Sequence, residues 1–208
     1  MLTRRSFIVQ LSAAVAAIQG TSFLADVRRA DRVGALGPQA VGDALNGLLA
    51  FIVPGSDSFS IAQGVSTANP GGVDAGGLDV LIEALDLAGP PPPPFTETST
   101  AVASILDQFA TIVRGNPTVG FADLTFAEKM AVFQALEAIP QLAPLAGVLP
   151  ALTGFIAVSE AGVFDPATRT VTSRPVGWEL TGYQGVADGR DEFVGYYQNR
   201  RKAVKSDA

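Results

Sequence analysis

The stretch "AVASILDQFATIVRGNP", residues 101–117, decides the fold because it carries the clearest helical pattern in the chain. Its apolar residues recur at spacings of three and four, which places them on one face of an α-helix. They are Val102, Ile105, Leu106, Phe109, Ile112 and Val113. Gly115 and Pro117 follow and end the helix. A helix with one apolar face must pack against other elements, so its neighbours in the sequence indicate what surrounds it.

Two further helices are predicted on the N-terminal side. The first has the same spacing in Val41, Ala44, Leu45, Leu48, Leu49 and Ile52. It stops at Pro54 and Gly55, and Asp57 and Ser58 suit a turn. The stretch "FSIAQGVSTANPGGVDAGG" (59–77) is rich in Gly and Asn and is interpreted as an ordered loop. The second helix is marked by Leu78, Leu81, Ile82 and Leu85.

A run of prolines, "GPPPPPF" (89–95), separates this helix from the opening stretch. Proline lacks the N–H that a helix or sheet needs and favours the extended polyproline II conformation. The run is interpreted as a stiff spacer between helices. A docking ligand for an aromatic groove is the alternative.

On the C-terminal side, "LTFAEKMAVFQALEAI" (124–139) opens with a capping box, in which Thr125 caps the helix and Glu128 reaches back. The predicted core stripe of this helix is Phe126, Met130, Phe133 and Leu136. The next segment, "QLAPLAGVLPALTGFIAVSEAGVF" (141–164), is apolar on every face. Such a helix is buried centrally or against another chain. Pro150 is expected to kink or split it.

The amino-acid composition changes at residue 165, and residues 165–208 form a Gly- and aromatic-rich segment that is predicted to be mostly irregular. Only "DEFVGYYQNRRKAV" suggests a short closing helix. No internal repeat and no alternation long enough for a sheet is found. The fold class is therefore all-α, an irregular bundle of about five to six helices with long loops. Residues 1–35 are a signal and linker, and 36–208 form a single domain.

The composition excludes several classes of chemistry. The chain has no cysteine, which excludes disulfides, thiol catalysis and iron–sulfur ligation, and no histidine, which excludes Ser–His–Asp catalysis and the usual zinc sites. Hydrophobic residues make up 48% and charged residues 16%, which favours a large buried interface. From Val33 to Thr168 the only basic residues are Arg114 and Lys129, so the acidic body argues against nucleic acid. The last forty residues hold seven basic residues, which are interpreted as a solvated helix end, and contact with a membrane surface or an acidic partner is the alternative.

No cofactor or nucleophile motif is complete. "PGGVDAGG" lacks the spacing of a dinucleotide loop, and "GVSTA" around Ser66 fails as a nucleophile elbow. Carboxylates remain as candidates for acid–base or Ca²⁺ chemistry, in two groups: Asp79, Glu83 and Asp86, and Asp188, Asp191 and Glu192. Both groups are more simply interpreted as solvated acids.

The N-terminal stretch "TRRSFIVQLSAAVAAI" (3–18) resembles a twin-arginine export signal, with Arg4, Arg5 and Phe7 in front of an apolar run. This resemblance implies the twin-arginine translocase as a partner. It also implies a location outside the cytoplasm, in the periplasm of a cell that has one. Folded export is mostly needed by proteins that carry a cofactor, yet this chain has no recognisable cofactor motif.

The segment "GWELTGYQG" holds the only tryptophan beside several glycines. Trp and Tyr anchor interfaces because their rings bury area while the polar atom still bonds, and Gly allows close approach of another backbone. The segment is interpreted as a partner interface or as a latch that folds the tail onto the helices. Its candidate residues are Gly177, Trp178, Leu180, Gly182, Tyr183 and Gly185.

Three stretches together resemble the small (gamma) subunit of flavin-dependent gluconate 2-dehydrogenase: "LNGLLAFIVPGSD", "FADLTFAEKMAVFQALEAI" and "GWELTGYQG". The resemblance implies a non-catalytic accessory subunit that holds no cofactor, stabilises a large subunit and brings the export signal for both. The large subunit would bind FAD and oxidise a sugar or alcohol, and a cytochrome c subunit would connect it to the membrane in some complexes.

Two other functions compete with this interpretation. One is a stand-alone exported protein that binds an apolar small ligand, with the helix around 145–156 lining the pocket. The other is a carboxylate-based hydrolase or isomerase that uses Asp188 or Asp191.

Overall fold

Seven α-helices account for most of the chain that the computed structural model describes, namely residues 38–87, 98–165 and 167–183. They are α1 Pro38–Ile52, α2 Ser58–Ala62, α3 Gly77–Leu87, α4 Thr98–Arg114, α5 Phe126–Glu137, α6 Ala143–Val158 and α7 Val176–Thr181. Two 3-10 turns, Phe121–Asp123 and Ala161–Val163, and one short hairpin complete the described part. This architecture confirms the all-α fold class, with one or two more helices than the sequence suggested.

Helix α1 lies at the centre of the bundle and contacts α3, α4 and α6. The apolar face predicted for it is buried from Val41 to Leu49, with Ile52 packed at the rim. Its buried side chains join those of the other helices in one cluster. Each buried leucine contributes about 2 kcal/mol through removal of apolar surface from water, so this contiguous face holds the bundle together.

Helix α4, the stretch with which the sequence analysis opens, buries Val102, Ile105, Leu106 and Phe109 as predicted. Ile112 is a correction, because its side chain is 70% exposed. At 100° per residue it lies at the edge of the stripe, whereas Val113 lies nearer the centre and packs against the core. The helix ends at Arg114, and Gly115 adopts a left-handed φ of 66° as expected of a terminating glycine.

The glycine-rich region between α1 and α3 contains a helix that the sequence analysis interpreted as loop. Helix α2 is one turn long, and the Asp57 carboxylate caps it by accepting hydrogen bonds from the backbone N–H groups of Phe59 and Ser60. Gly55 and Gly71 bring the two ends of the region together. A Cβ on Gly55 would lie 2.4 Å from the Gly71 nitrogen, so only glycine allows this backbone contact.

The start of α5 confirms the predicted capping box. The Thr125 backbone N–H donates to Glu128 Oε2 at 2.8 Å, and the Glu128 N–H donates to Thr125 Oγ1 at 3.4 Å. Arg114 at the end of α4 also pairs with the Glu128 carboxylate, and mainly this contact lowers the pKa of Glu128 to about 2. The cap therefore ties α4 to α5.

Helix α6 runs without interruption through Pro150, so the predicted split does not occur. Pro150 lacks the N–H of one helical hydrogen bond, but the helix is held by its neighbours α1, α3, α5 and α7. One face of α6 is buried, and the opposite face is exposed. Central burial, one of the two positions inferred from its sequence, is therefore wrong.

The beginning of the tail is more ordered than predicted. Phe164–Asp165 and Thr170–Val171 pair as two antiparallel strands of two residues each. Helix α7 then forms from "VGWELT" and ends at Gly182, whose φ is 68°. The polyproline run 89–95 and residues 184–208 lie outside the described residues, and so does the predicted closing helix.

Candidate partner-binding surface

The exposed face of α6 carries no polar side chain. Its residues follow helical spacing and are Pro144, Gly147, Ala151, Phe155 and Val158. Phe155 is 65% exposed, which is unusual for an aromatic ring on a regular helix. A helix that buries one apolar face and exposes another is typical of a chain that packs against a further surface.

Helix α7 extends this face because it packs on the C-terminal end of α6. The contact is made by Gly177, which is buried against the backbone of Val158. A Cβ at Gly177 would lie 1.9 Å from the Val158 carbonyl oxygen. No side chain fits in that space, so the glycine sets how closely the two helices approach.

Trp178 and Tyr183 form an edge-to-face pair at the end of α7, with ring centres 5.1 Å apart. The Tyr183 backbone N–H donates to the Trp178 carbonyl at 2.8 Å, and Arg174 donates to the Tyr183 carbonyl at 2.6 Å. Trp178 is half-buried, whereas Leu180 is 40% and Tyr183 47% exposed. The segment therefore packs against α6 at Gly177 and exposes Leu180 and Tyr183 to solvent.

The short hairpin exposes two more apolar side chains to solvent. Phe164 and Val171 are directly opposite in the register, and both are exposed. Six of the ten large apolar side chains that are exposed in the described residues fall between 155 and 183. We call the six the apolar surface: Phe155, Val158, Phe164, Val171, Leu180 and Tyr183.

The structure brings together five of the six residues proposed for this segment, Gly177, Trp178, Leu180, Gly182 and Tyr183, in and directly after α7. Gly182 ends the helix. Gly185 lies outside the described residues, as do Arg4, Arg5 and Phe7 of the proposed export signal. The roles proposed for these residues stay predictions.

A separate groove of about 440 Å³ lies between α1, α2, α4 and the first 3-10 turn. Three carboxylates line it, those of Asp43, Asp107 and Asp123. Burial raises the pKa of Asp107, although this carboxylate accepts a hydrogen bond from the Phe121 N–H at 2.7 Å. Residues 145–156 of α6, expected to line a pocket for an apolar ligand, do not line this groove.

The carboxylates that the sequence analysis singled out do not form a site in the described residues. Asp79 and Glu83 are exposed on α3. Asp86 accepts a hydrogen bond from the Ser99 N–H at 2.9 Å and so connects the end of α3 to the start of α4. Asp188, Asp191 and Glu192 lie outside the described residues. Within 38–87, 98–165 and 167–183, no group of three Asp, Glu, His or Cys side chains is arranged to hold a metal ion.

Sequence reasoning missed Lys129, which is fully buried on α5. Its Nζ donates to the Gly47 carbonyl at 3.1 Å and to Gln63 Oε1 at 3.0 Å, and it lies 5.4 Å from the centre of the Phe121 ring. Burial lowers the pKa of Lys129 to about 8, against the weaker opposing effect of Asp57 and Asp123. The signal was its spacing, because Lys129 is in phase with Val132, Phe133 and Leu136.

The buried face of α5 differs in part from the predicted core stripe, because it includes Lys129 and leaves Met130 partly exposed. The buried face is centred on Lys129, Val132, Phe133 and Leu136. Met130 was predicted in the core but is 43% exposed. The amide of Gln63 donates in turn to the Ala50 carbonyl at 2.8 Å, so the lysine connects α1, the residue after α2, and α5.

Among the residues described, no helix combines the length and the hydrophobicity that crossing a membrane requires. Comparison of the chain with protein-family models, with curated proteins and with solved structures gives no match.

Proposed function

We propose that this chain is a non-catalytic accessory subunit that binds a FAD-dependent sugar or alcohol dehydrogenase subunit and escorts it through the twin-arginine export route. The observation that carries the proposal is the exposed apolar face of α6 and its continuation into α7. The sequence supports it through the twin-arginine stretch at residues 3–18 and the resemblance to gluconate dehydrogenase small subunits.

The chemistry of the apolar surface fits a permanent protein partner. It combines an exposed phenylalanine on α6 with Leu180 on α7 and Tyr183 directly after α7. Aromatic and aliphatic side chains of this kind form the cores of stable interfaces, where polar residues are depleted. A complex of this type is expected to bury more than about 2,000 Å² in total.

The division of labour explains the export signal on a chain without a cofactor motif. A folded flavoprotein has to cross with its FAD in place, and it can do so bound to a subunit that carries the signal. Under this proposal Arg4 and Arg5 serve the complex. The complex would operate outside the cytoplasm, associated with the membrane through its other subunits, among them a cytochrome c subunit where one is present.

The test is a pull-down of the tagged chain from its native host, followed by an absorption spectrum of the eluate. We expect a second, larger chain and the absorption bands of bound flavin. A colourless eluate that contains this chain alone would overturn the proposal.

Two variants test whether the partner binds at the apolar surface. Phe155→Asp and Leu180→Asp should each reduce the recovered flavin at least tenfold, because a charge would be buried in an apolar interface. Ile112→Asp is the control, since Ile112 is also a large apolar residue, is about as exposed as Phe155 and lies near the end of α4. Equal losses for all three variants would show that the apolar surface is not the binding site.

A further inference from the structure

We infer that in the isolated chain the exposed face of α6 is the docking site for the chain's own C-terminal segment 192–197. This inference concerns the chain without its partner, so it stands or fails separately from the proposed function. If both hold, the partner has to displace the segment in order to bind.

The last described residue, Tyr183, lies directly after α7. Tyr183 is held beside α7 by its backbone contacts with Trp178 and Arg174. Helix α7 is itself packed on the C-terminal end of α6 through Gly177 and Val158. Residues 184–208 therefore follow directly after a helix that contacts the C-terminal end of α6.

The connection between Tyr183 and segment 192–197 is long enough to reach α6. From Tyr183 to Phe193 the chain has ten steps, which span up to about 33 Å when extended. Helix α6 has 16 residues, so its length is about 24 Å. The connection from Tyr183 is therefore long enough for segment 192–197 to reach the exposed residues in the C-terminal half of α6.

Segment 192–197 and the exposed face of α6 are chemically complementary. The segment "EFVGYY" contains three aromatic rings and a valine within five positions, Phe193, Val194, Tyr196 and Tyr197. The exposed α6 face is uncharged, and its small residues Gly147 and Ala151 leave the helix backbone open to flat rings. Burial of aromatic area against an apolar face is favourable, and the tyrosine hydroxyls keep access to water at the rim.

The experiment uses the full chain, which has no cysteine, so that engineered cysteines are the only thiols. The variant Ala151→Cys with Tyr196→Cys should form an intramolecular disulfide under mild oxidation. The matched control is Ile112→Cys with Tyr196→Cys, which should stay reduced because Ile112 lies on another helix. A competing pair, Ala151→Cys with Val15→Cys, tests whether the apolar N-terminal run occupies the face instead.

A second readout does not depend on disulfide geometry. We measure how fast a bulky maleimide labels Ala151→Cys in the full chain, with and without Phe193→Asp, Tyr196→Asp and Tyr197→Asp. The three substitutions should raise the rate at least fivefold, while labelling of Ile112→Cys stays constant. Unchanged rates, a disulfide through Val15→Cys, or disulfide-linked dimers in place of monomers would each overturn the inference.

Discussion

Helix α5 places a lysine inside the molecule, whereas helix α6, which packs against it, places a phenylalanine outside. Lys129 is fully buried and Phe155 is 65% exposed. The difference lies in what surrounds each position. Lys129 points at the Gly47 carbonyl and the Gln63 amide, which satisfy two of its donors. Phe155 lies on the exposed side of α6 together with Ala151 and Val158. Position on the helix therefore overrides residue type in both cases.

The largest expected effect comes from Lys129→Ala. The substitution leaves a cavity in the core and removes the donor to Gln63 Oε1, so we expect a loss of about 2–4 kcal/mol in the free energy of unfolding. Lys129→Met keeps the volume and removes the charge, and its stability should stay within about 1.5 kcal/mol of the parent. Urea denaturation measures both. Equal losses would mean that the hydrogen bonds matter more than the volume.

The amphipathic patterns explain why the sequence predicts so much of the fold. The buried faces of α1, α3 and most of α4 follow directly from apolar spacing, and the Thr125 cap follows from four residues. These features are local, so a single helix contains all the information. Met130 and Ile112 were misplaced because each lies at the side of its stripe, where the neighbouring helix decides burial.

The candidate surface was only partly accessible to sequence reasoning. "GWELTGYQG" pointed to α7 through its tryptophan and glycines, but the contact of Gly177 with Val158 needs the tertiary structure. The α6 sequence, without a polar face, indicated an unusual environment and left open which side would be exposed. The spacing of Lys129 places it on the buried face of α5, but its partners Gln63 and Gly47 are 66 and 82 residues away, and no local pattern identifies them.

The pH dependence of the free energy of unfolding tests the buried charge of Lys129. The pKa of Lys129 falls from 10.5 in the unfolded chain to about 8 in the fold. Between these values the unfolded chain binds the proton more tightly, so stability increases as the pH rises from about 8 to 10.5. A pKa difference of one corresponds to about 1.4 kcal/mol, which makes the full gain about 3 kcal/mol.

The measurement is the free energy of unfolding of the parent chain minus that of Lys129→Met at each pH. The subtraction removes the titration of all groups that the two proteins share. A difference that is flat from pH 8 to 10.5 would contradict the buried charge.

Gly177→Ala tests the contact that extends the apolar surface. The new methyl group would overlap the Val158 carbonyl, so α7 must move away from α6, at a cost of about 1–3 kcal/mol. The single tryptophan, Trp178, reports the movement through a red shift in its fluorescence. Gly147→Ala is the matched control because a Cβ there meets open space, and it should stabilise α6 by about 0.5–1 kcal/mol. Unchanged fluorescence in Gly177→Ala would show that α7 does not depend on this contact.

The smallest effect on stability is expected for Phe155→Ser, although Phe155 is the largest side chain on α6. Ser and Phe have similar helix propensities, and the exposed ring loses few contacts, so the free energy of unfolding should change by no more than about 0.5 kcal/mol. Leu152→Ser, three residues earlier on the buried face, should cost about 3 kcal/mol or more. Thermal and urea unfolding compare the two directly. A loss at Phe155 close to that at Leu152 would contradict the exposure of this ring.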